Sequence, residues 1–256
     1  MSDMFFLLFL FALFAIGAVA IHIICRKKEK PKKINAWKKF FVYFFVIYSI
    51  FLSILYVPVL FRAICFLVAL GGAFEIVRLQ LKSPQRLAWS RFCLYFSIYL
   101  ALAILFLFFA FESIEIQMLT VFAVCTFDAF SQLSGQLFGK RKITPRISPN
   151  KTLGGLIGGT CLALFLGIIV NFNSEFGITG VIILTLFVVA ASFFGDLAAS
   201  YVKRQYAVKD YGSLLPGHGG ILDRFDSLIV AGAVIFILKI IWVACCGDLI
   251  FLGIVK

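Results

Sequence analysis

Residues 177–202 read GITGVIILTLFVVAASFFGDLAASYV, and their only charged side chain is that of Asp196. A helix needs about 20 mostly apolar residues to cross the hydrocarbon layer of a membrane, so this stretch predicts a transmembrane helix. Comparable apolar stretches lie at 4–25, 40–61, 63–80, 92–111, 116–138, 154–172 and 221–243. The sequence therefore predicts an all-α polytopic membrane protein, a bundle of about eight transmembrane helices with a range of seven to nine.

The composition excludes a soluble globular protein. Of the 256 residues, 62% are hydrophobic and 14% are charged, which is too little charge to cover the surface of a water-soluble domain of this length. No internal repeat or soluble linker interrupts the chain. We divide it into four N-terminal spans over residues 1–115 and a C-terminal region over residues 116–256, which carries the polar motifs described below.

The charged residues between the spans predict a topology. Lys and Arg cluster in the links that follow the first, third, fifth and seventh spans, whereas Glu112, Glu115 and Glu175 lie in the other links. Basic residues near span ends stay on the cytoplasmic side, so the four basic links are expected there. The net charge of +12 therefore reflects topology and predicts membrane lipids and nucleotide phosphates as partners. Nucleic acid is not expected, because the charges are spread over short loops without a nucleic-acid-binding motif.

Acidic side chains within apolar spans are costly and usually functional. Five were found: Glu75, Asp128, Asp196, Asp223 and Asp226. Asp196, Ser200 and Lys203 are spaced i, i+4 and i+7, and Asp223 and Asp226 are three apart, so each set shares one helix face. The sequence thus predicts that two helices bring three carboxylates together at the cytoplasmic boundary.

Clustered carboxylates with nearby basic residues are typical of a nucleotide triphosphate site. Mg²⁺ neutralises a few carboxylates and prefers phosphate oxygens as its further ligands. Lys203, Arg204 and Lys209 would hold phosphates, and the glycine-rich turn at 217–220 would let backbone N–H groups approach an anion. The alternative is that the acids pair with Arg224 or Lys203 only to make the helix ends tolerable. Glu75 has its own alternative, an ion pair with an intramembrane Lys or Arg.

Two segments resemble a known family. SYVKR at 200–204, KDYG at 209–212 and LPGHGGILDRFD at 215–226 resemble the signature of phosphatidate cytidylyltransferases. A second resemblance comprises Asp128, GQLFGK at 135–140, ISPNKT at 147–152 and the glycines that follow. The sequence departs from the family pattern at Ser131, Gln132 and Gly154, which leaves the lipid acceptor open.

The resemblance implies a reaction of CTP with phosphatidate that yields CDP-diacylglycerol and pyrophosphate. It also implies Mg²⁺ and K⁺ as cofactors and a homodimer. Because the basic links that carry these motifs are expected on the cytoplasmic side, we predict a multi-pass protein of the cell (inner) membrane whose active site faces the cytoplasm. The catalytic residues carried over are Asp196, Asp223, Asp226, Lys203 and Arg204, with the three aspartates as metal ligands. The substrate-binding residues carried over are Asp128, Lys140, Ser148, Lys151, Thr152, Ser200, Lys209, His218, Gly219, Gly220 and Arg224.

The implied chemistry needs no strong general base, because a phosphatidate oxygen is already ionised near neutral pH. Metal ions and basic side chains would shield the repulsion between the two anionic substrates. Two alternatives remain open: a CTP-dependent transferase that acts on an isoprenoid or polyprenyl lipid, and an inactive lipid-binding or transport relative.

Overall fold

The computed structural model describes residues 3–26, 30–83, 85–170, 176–212 and 219–246. Within these ranges the chain forms eight helices and one two-stranded hairpin. The elements in order are α1 (Asp3–Cys25), α2 (Lys30–Tyr56), α3 (Pro58–Lys82), α4 (Trp89–Phe109), α5 (Ile114–Phe138), β1 (Lys142–Thr144), β2 (Ser148–Thr152), α6 (Leu153–Val170), α7 (Gly177–Gln205) and α8 (Leu222–Cys246).

The helices have the length and composition of membrane spans. Among the described residues, the seven helices from α2 to α8 are long and apolar enough to cross a membrane. The apolar stretch described in α1, Phe6–Val19, is shorter than these seven spans. The predicted all-α polytopic membrane protein is confirmed.

The boundary between the second and third spans differs from the prediction. The apolar pattern predicts that the second span ends at residue 61, just before Arg62, but α2 ends at Tyr56 and α3 begins at Pro58. Proline is tolerated in the first turn of a helix, where its missing N–H would have no partner within the helix, and it disfavours helix for the preceding residue. Val57 is accordingly non-helical, with φ −139° and ψ 72°. Arg62 therefore lies inside α3. Its guanidinium carbon Cζ lies 4.6 Å from the centre of the Phe111 ring.

Helix α5 lies at the centre of the bundle. In its span 61% of the residues are buried, against 28% in α4, which places α5 inside and α4 at the periphery. Aromatic rings join the early helices to it, since Phe6 of α1 contacts both Phe51 of α2 and Phe122 of α5 edge-on. The buried apolar core extends from Phe6 to Ile235, across the proposed division at residue 115.

Helices α5 and α6 pack closely because small residues face each other. A Cβ added at Gly155 would lie 2.6 Å from the Ser131 carbonyl oxygen, and one added at Gly159 would lie 2.8 Å from the Ser131 Cβ. Such contacts are too short for any side chain. The missing side chains therefore bring the start of α6, and the hairpin before it, against the polar half of α5.

The basic link between α5 and α6 contains a hairpin that the sequence analysis did not predict. Strands β1 and β2 are antiparallel, with Lys142 opposite Thr152 and Thr144 opposite Ser148. Thr152 ends the hairpin and caps α6, because its hydroxyl accepts the Gly155 N–H at 3.1 Å. The hairpin thereby holds Lys151 at a fixed position beside the bundle.

Candidate active site

Helices α7 and α8 pack closely against each other in the half that the sequence predicts to be cytoplasmic. A Cβ added at Gly195 would lie 2.9 Å from Val230 and 3.2 Å from the Asp226 carbonyl oxygen. The Ser227 hydroxyl donates to the Ser192 carbonyl at 3.4 Å. Because these backbones approach so closely, Asp196 of α7 and Asp226 of α8 come to lie near each other.

Asp223, at the start of α8, accepts three donors. Its Oδ1 pairs with Lys203 Nζ at 2.8 Å, and its Oδ2 accepts the backbone N–H groups of Tyr211 at 2.8 Å and Gly220 at 2.9 Å. The side chain is only 5% exposed. Asp223 therefore joins the end of α7 and the connecting loop to the first turn of α8.

Gly219 and Tyr211 shape this loop around Asp223. Gly219 has φ +89°, a left-handed conformation that favours glycine, and an added Cβ would lie 3.1 Å from Asp223 Oδ2. Burial raises the pKa of Tyr211 well above its usual range, so the phenol stays protonated and donates to the Ala199 carbonyl at 3.0 Å. The Lys203 ammonium lies 5.3 Å from the centre of the Tyr211 ring.

Asp196 pairs with a lysine from the hairpin. Lys151 Nζ lies 2.8 Å from Asp196 Oδ2, and the Ser200 hydroxyl donates to Asp196 Oδ1 at 3.2 Å. Lys151 also donates to the Phe193 carbonyl at 3.3 Å and lies over the Phe193 ring. The predicted shared face of Asp196 and Ser200 is confirmed, whereas Lys203 on the same face turns to Asp223.

Three carboxylates from three helices interact electrostatically. Asp128 of α5 is repelled by Asp226 and Asp196 and attracted by Lys151. Asp226 is 9% exposed, accepts the Ser227 N–H at 2.8 Å, and is repelled more strongly by Asp196 than by Asp223. Asp128 and Asp226 are thus each repelled by Asp196, and Asp128 is also repelled by Asp226.

The predicted metal set of Asp196, Asp223 and Asp226 is not assembled as such. Within the described ranges, no group of three or more His, Cys, Asp or Glu side chains is placed to hold a metal ion directly. Asp223 is occupied by Lys203 and two backbone donors, and Asp196 by Lys151. Asp128, assigned to substrate from the sequence, also lies near Asp226 and Asp196.

The carboxylates nevertheless fit a divalent cation chemically. Oxygen donors are the ligands that Mg²⁺ prefers. Asp128, Asp196, Asp223 and Asp226 supply such oxygen atoms within one region, and the ammonium groups of Lys151 and Lys203 form ion pairs with Asp196 and Asp223.

The other predicted basic residues have varied positions. Arg204 is exposed and donates to two backbone carbonyls, those of Ile147 in the hairpin turn at 3.2 Å and Val208 at 3.1 Å. It thereby ties the hairpin to the chain after α7. Lys140, Lys209 and Arg224 are exposed, Ser148 is half-buried in β2, and His218 lies outside the described residues.

Among the described residues, Glu75 forms no ion pair with an intramembrane Lys or Arg, the pairing that one alternative proposed. Its two carboxylate oxygens accept the backbone N–H groups of Ile221 and Leu222, both at 2.9 Å. The sequence showed that Glu75 is a buried acid but carried no signal for its partner, because 146 residues separate it from Ile221. The hydrogen bond between Gln80 and Tyr206 was not predicted for the same reason, since 126 residues separate them.

Known proteins resemble this chain over part or nearly all of its length. A profile described as the cytidylyltransferase family matches residues 1–242. The phosphatidate cytidylyltransferase of Haemophilus influenzae is 47% identical over 110 residues, which are 41% of this chain and 38% of that protein. That of Bacillus subtilis is 46% identical over 104 residues, which are 40% of this chain and 39% of that protein.

A third relative of the same name, from Brucella abortus, is 45% identical over 111 residues, or 43% of this chain and 41% of that protein. The matched part of the chain thus spans about two fifths of the length of these curated relatives. The family profile, in contrast, extends over nearly the whole chain. The protein therefore belongs to the cytidylyltransferase family, as the signature residues predicted.

Proposed function

We propose that this protein transfers the cytidylyl group of CTP to phosphatidate and thereby supplies CDP-diacylglycerol for membrane phospholipid synthesis. The observation that carries the proposal is the group formed by Asp128, Asp196 and Asp226, from three different helices, beside Lys151 and Lys203. Similar proteins that bear the name phosphatidate cytidylyltransferase support the choice of substrates.

In the proposed reaction an ionised phosphatidate oxygen forms a bond to the α-phosphorus of CTP. The bond from that phosphorus to the oxygen bridging to the β-phosphorus breaks, and pyrophosphate leaves with the electron pair. No side chain needs to become covalently attached. Catalysis then consists of holding two anions in line and stabilising the charge that develops on the leaving group.

The side chains divide these tasks by charge. Lys203 and Lys151 are positive groups at the edge of the acidic group, where they can exchange their carboxylate partners for phosphate oxygens. Asp128, Asp196 and Asp226 would offer one or two carboxylate ligands to Mg²⁺, with phosphate oxygens as its further ligands, and the ion would supply charge neutralisation for the triphosphate. The resemblance also supports K⁺ as a second cofactor and a homodimer as the functional unit. Sedimentation of the protein in detergent measures its oligomeric state.

The proposed location is the cell (inner) membrane, with the site open to the cytoplasm, where CTP is present. The clustering of Lys and Arg in alternate links supports this orientation. The test is a variant that lacks the native cysteines and carries Lys209→Cys. A membrane-impermeant thiol reagent should label it in inverted vesicles but not in intact cells, and the opposite pattern would reverse the topology.

The decisive experiment incubates purified, detergent-solubilised protein with radiolabelled CTP, phosphatidate and Mg²⁺, with and without a chelator. Chelator-sensitive label in a lipid with the mass of CDP-diacylglycerol is the expected result. Label that appears only with an isoprenoid or polyprenyl acceptor would replace phosphatidate as the substrate. Absence of label with every acceptor would favour the inactive lipid-binding or transport alternative.

A further inference from the structure

Glu75 is a buried carboxylate that caps a helix distant in sequence. It is 0% exposed, and its Oε1 and Oε2 each accept one backbone N–H, from Ile221 and Leu222 at the start of α8. The first N–H groups of a helix lack partners within that helix and form the positive end of its dipole. A carboxylate from α3 therefore satisfies two of these donors and complements their charge.

The face of α3 around Glu75 is shaped to receive these two residues. Gly71 and Gly72 lie one helical turn before Glu75, on the same face. A Cβ at Gly71 would lie 2.6 Å from Ile221 Cδ1, and one at Gly72 would collide with the Tyr99 hydroxyl and lie 3.3 Å from Leu222 Cδ1. The absence of side chains lets the start of α8 approach the α3 backbone closely enough to reach the carboxylate.

The loop between α7 and α8 also has glycines where it contacts Glu75. A Cβ at Gly220 would lie 2.5 Å from both carboxylate oxygens, and one at Gly212 would lie 3.0 Å from Oε1. Neither glycine has a positive φ among the described residues. Close contact with Glu75, and not backbone conformation, therefore explains why these two positions lack side chains.

A second contact joins α3 to the other end of the same loop. The Tyr206 hydroxyl donates to Gln80 Oε1 at 2.9 Å, and the Ser83 hydroxyl donates to the Tyr206 carbonyl at 3.1 Å. Burial raises the pKa of Tyr206, so the hydroxyl remains a donor. The loop is thus attached to α3 and its C-terminal end both where it leaves α7 and where it enters α8.

We propose that Glu75 is a positioning residue that sets the geometry of the loop around Asp223 and Lys203. The Gly220 N–H that binds Asp223 directly precedes the two N–H groups that bind Glu75. Loss of Glu75 therefore releases the segment that holds one side of Asp223. The inference rests on the proposed function for its kinetic consequence, but the contact itself can be tested without activity.

The first test compares Glu75→Ala and Glu75→Gln with the matched control Glu112→Gln. Glu112 is also a buried carboxylate, but it pairs with Lys239, far along α8 from the Glu75 contact. For Glu75→Ala we expect kcat per folded molecule to fall about 100-fold with little change in KM for CTP, because reacting groups misplaced by about 1 Å lose that much rate. Glu75→Gln keeps one acceptor oxygen and should lose only about 10-fold.

Hydrogen exchange supplies the readout that does not depend on activity. The amides of Ile221 and Leu222 should exchange faster in Glu75→Ala than in the wild type, and remain unchanged in Glu112→Gln. Unchanged exchange, or equal kcat values for the Glu75→Ala and Glu112→Gln variants, would overturn the inference. A wild type that shows protection at these amides but no cytidylyl transfer would instead contradict the proposed function alone.

A double-mutant cycle tests the contact directly. Gly220→Ala should lower kcat about 30-fold, because its Cβ would collide with the carboxylate, but should cost less than about threefold in the Glu75→Ala background. Additive effects would overturn the inference. If Glu75→Ala does not fold, Glu75→Gln, which keeps the side-chain volume, carries the test, and wild-type kcat and exchange in that variant would contradict the proposal.

Discussion

Two ion pairs, Lys203–Asp223 and Lys239–Glu112, involve residues at different positions along α8. They differ in what surrounds the carboxylate. Asp223 and Glu112 have nearly the same side-chain exposure, 5% and 4%. Asp223, however, also accepts two loop N–H groups and lies in a region with other acids. Glu112 pairs with Lys239, whose side chain is 39% exposed. Burial alone therefore does not distinguish a candidate catalytic carboxylate from a structural one; the local accumulation of charge does.

Neutralising each carboxylate should separate the two pairs most strongly. Asp223→Asn keeps an acceptor for the loop N–H groups but removes the charge opposite Lys203, so turnover should fall about 100- to 1000-fold while the bundle stays folded. Glu112→Gln should keep turnover and lower the free energy of unfolding by about 1–2 kcal/mol. Steady-state assays measure turnover, and thermal unfolding in detergent measures stability. Near-wild-type turnover in Asp223→Asn would show that catalysis does not need the negative charge opposite Lys203.

Asp128→Asn sharpens the comparison within the acidic group. Because Asp128 interacts with Asp196 and Asp226, its loss should reduce turnover about 100-fold and raise the Mg²⁺ concentration needed for half-maximal activity. Glu115→Gln, in the first turn of the same helix, serves as the control. An unchanged Mg²⁺ dependence would instead favour the metal ligands predicted from the sequence, Asp196, Asp223 and Asp226.

Lys203→Ala examines the basic partner of the functional pair. Its ammonium is expected to bind phosphate, so KM for CTP should rise about 10-fold, with a smaller fall in kcat. The variant also leaves Asp223 without its cation, which adds a loss of stability. Lys239→Ala removes the lysine of the other pair, and a similar rise in KM there would show that the effect is not specific to the site.

Arg204→Ala should have the smallest effect. Its guanidinium already donates to the carbonyls of Ile147 and Val208, so its removal loosens the hairpin and should lower turnover by only about three- to fivefold. A fall as large as that of Asp223→Asn would show that Arg204 contacts substrate, as the family signature implies. Arg204→Lys, which loses the planar two-carbonyl contact but keeps the charge, separates these roles.

Local spacing predicted those parts of the site that lie on one helix. Asp196 and Ser200 are hydrogen-bonded as their i, i+4 spacing indicated. Which lysine meets which aspartate was not predictable, since Lys151 reaches Asp196 from the hairpin and Lys203 reaches Asp223 across the loop. The preference of Lys203 for Asp223 over Asp196 depends on how α7 and α8 cross at Gly195, and spacing along one helix contains no information on that crossing.

By itself, the amino-acid sequence determined that this chain is a helical membrane protein and that its polar chemistry lies between Asp128 and Asp226. Hydrophobic length and charge distribution are local properties, and they suffice for those conclusions. The tertiary structure alone decided that Asp128 joins Asp196 and Asp226 and that Glu75 caps α8. Both depend on contacts between segments distant in sequence, which arise from close packing of glycine-lined helix faces.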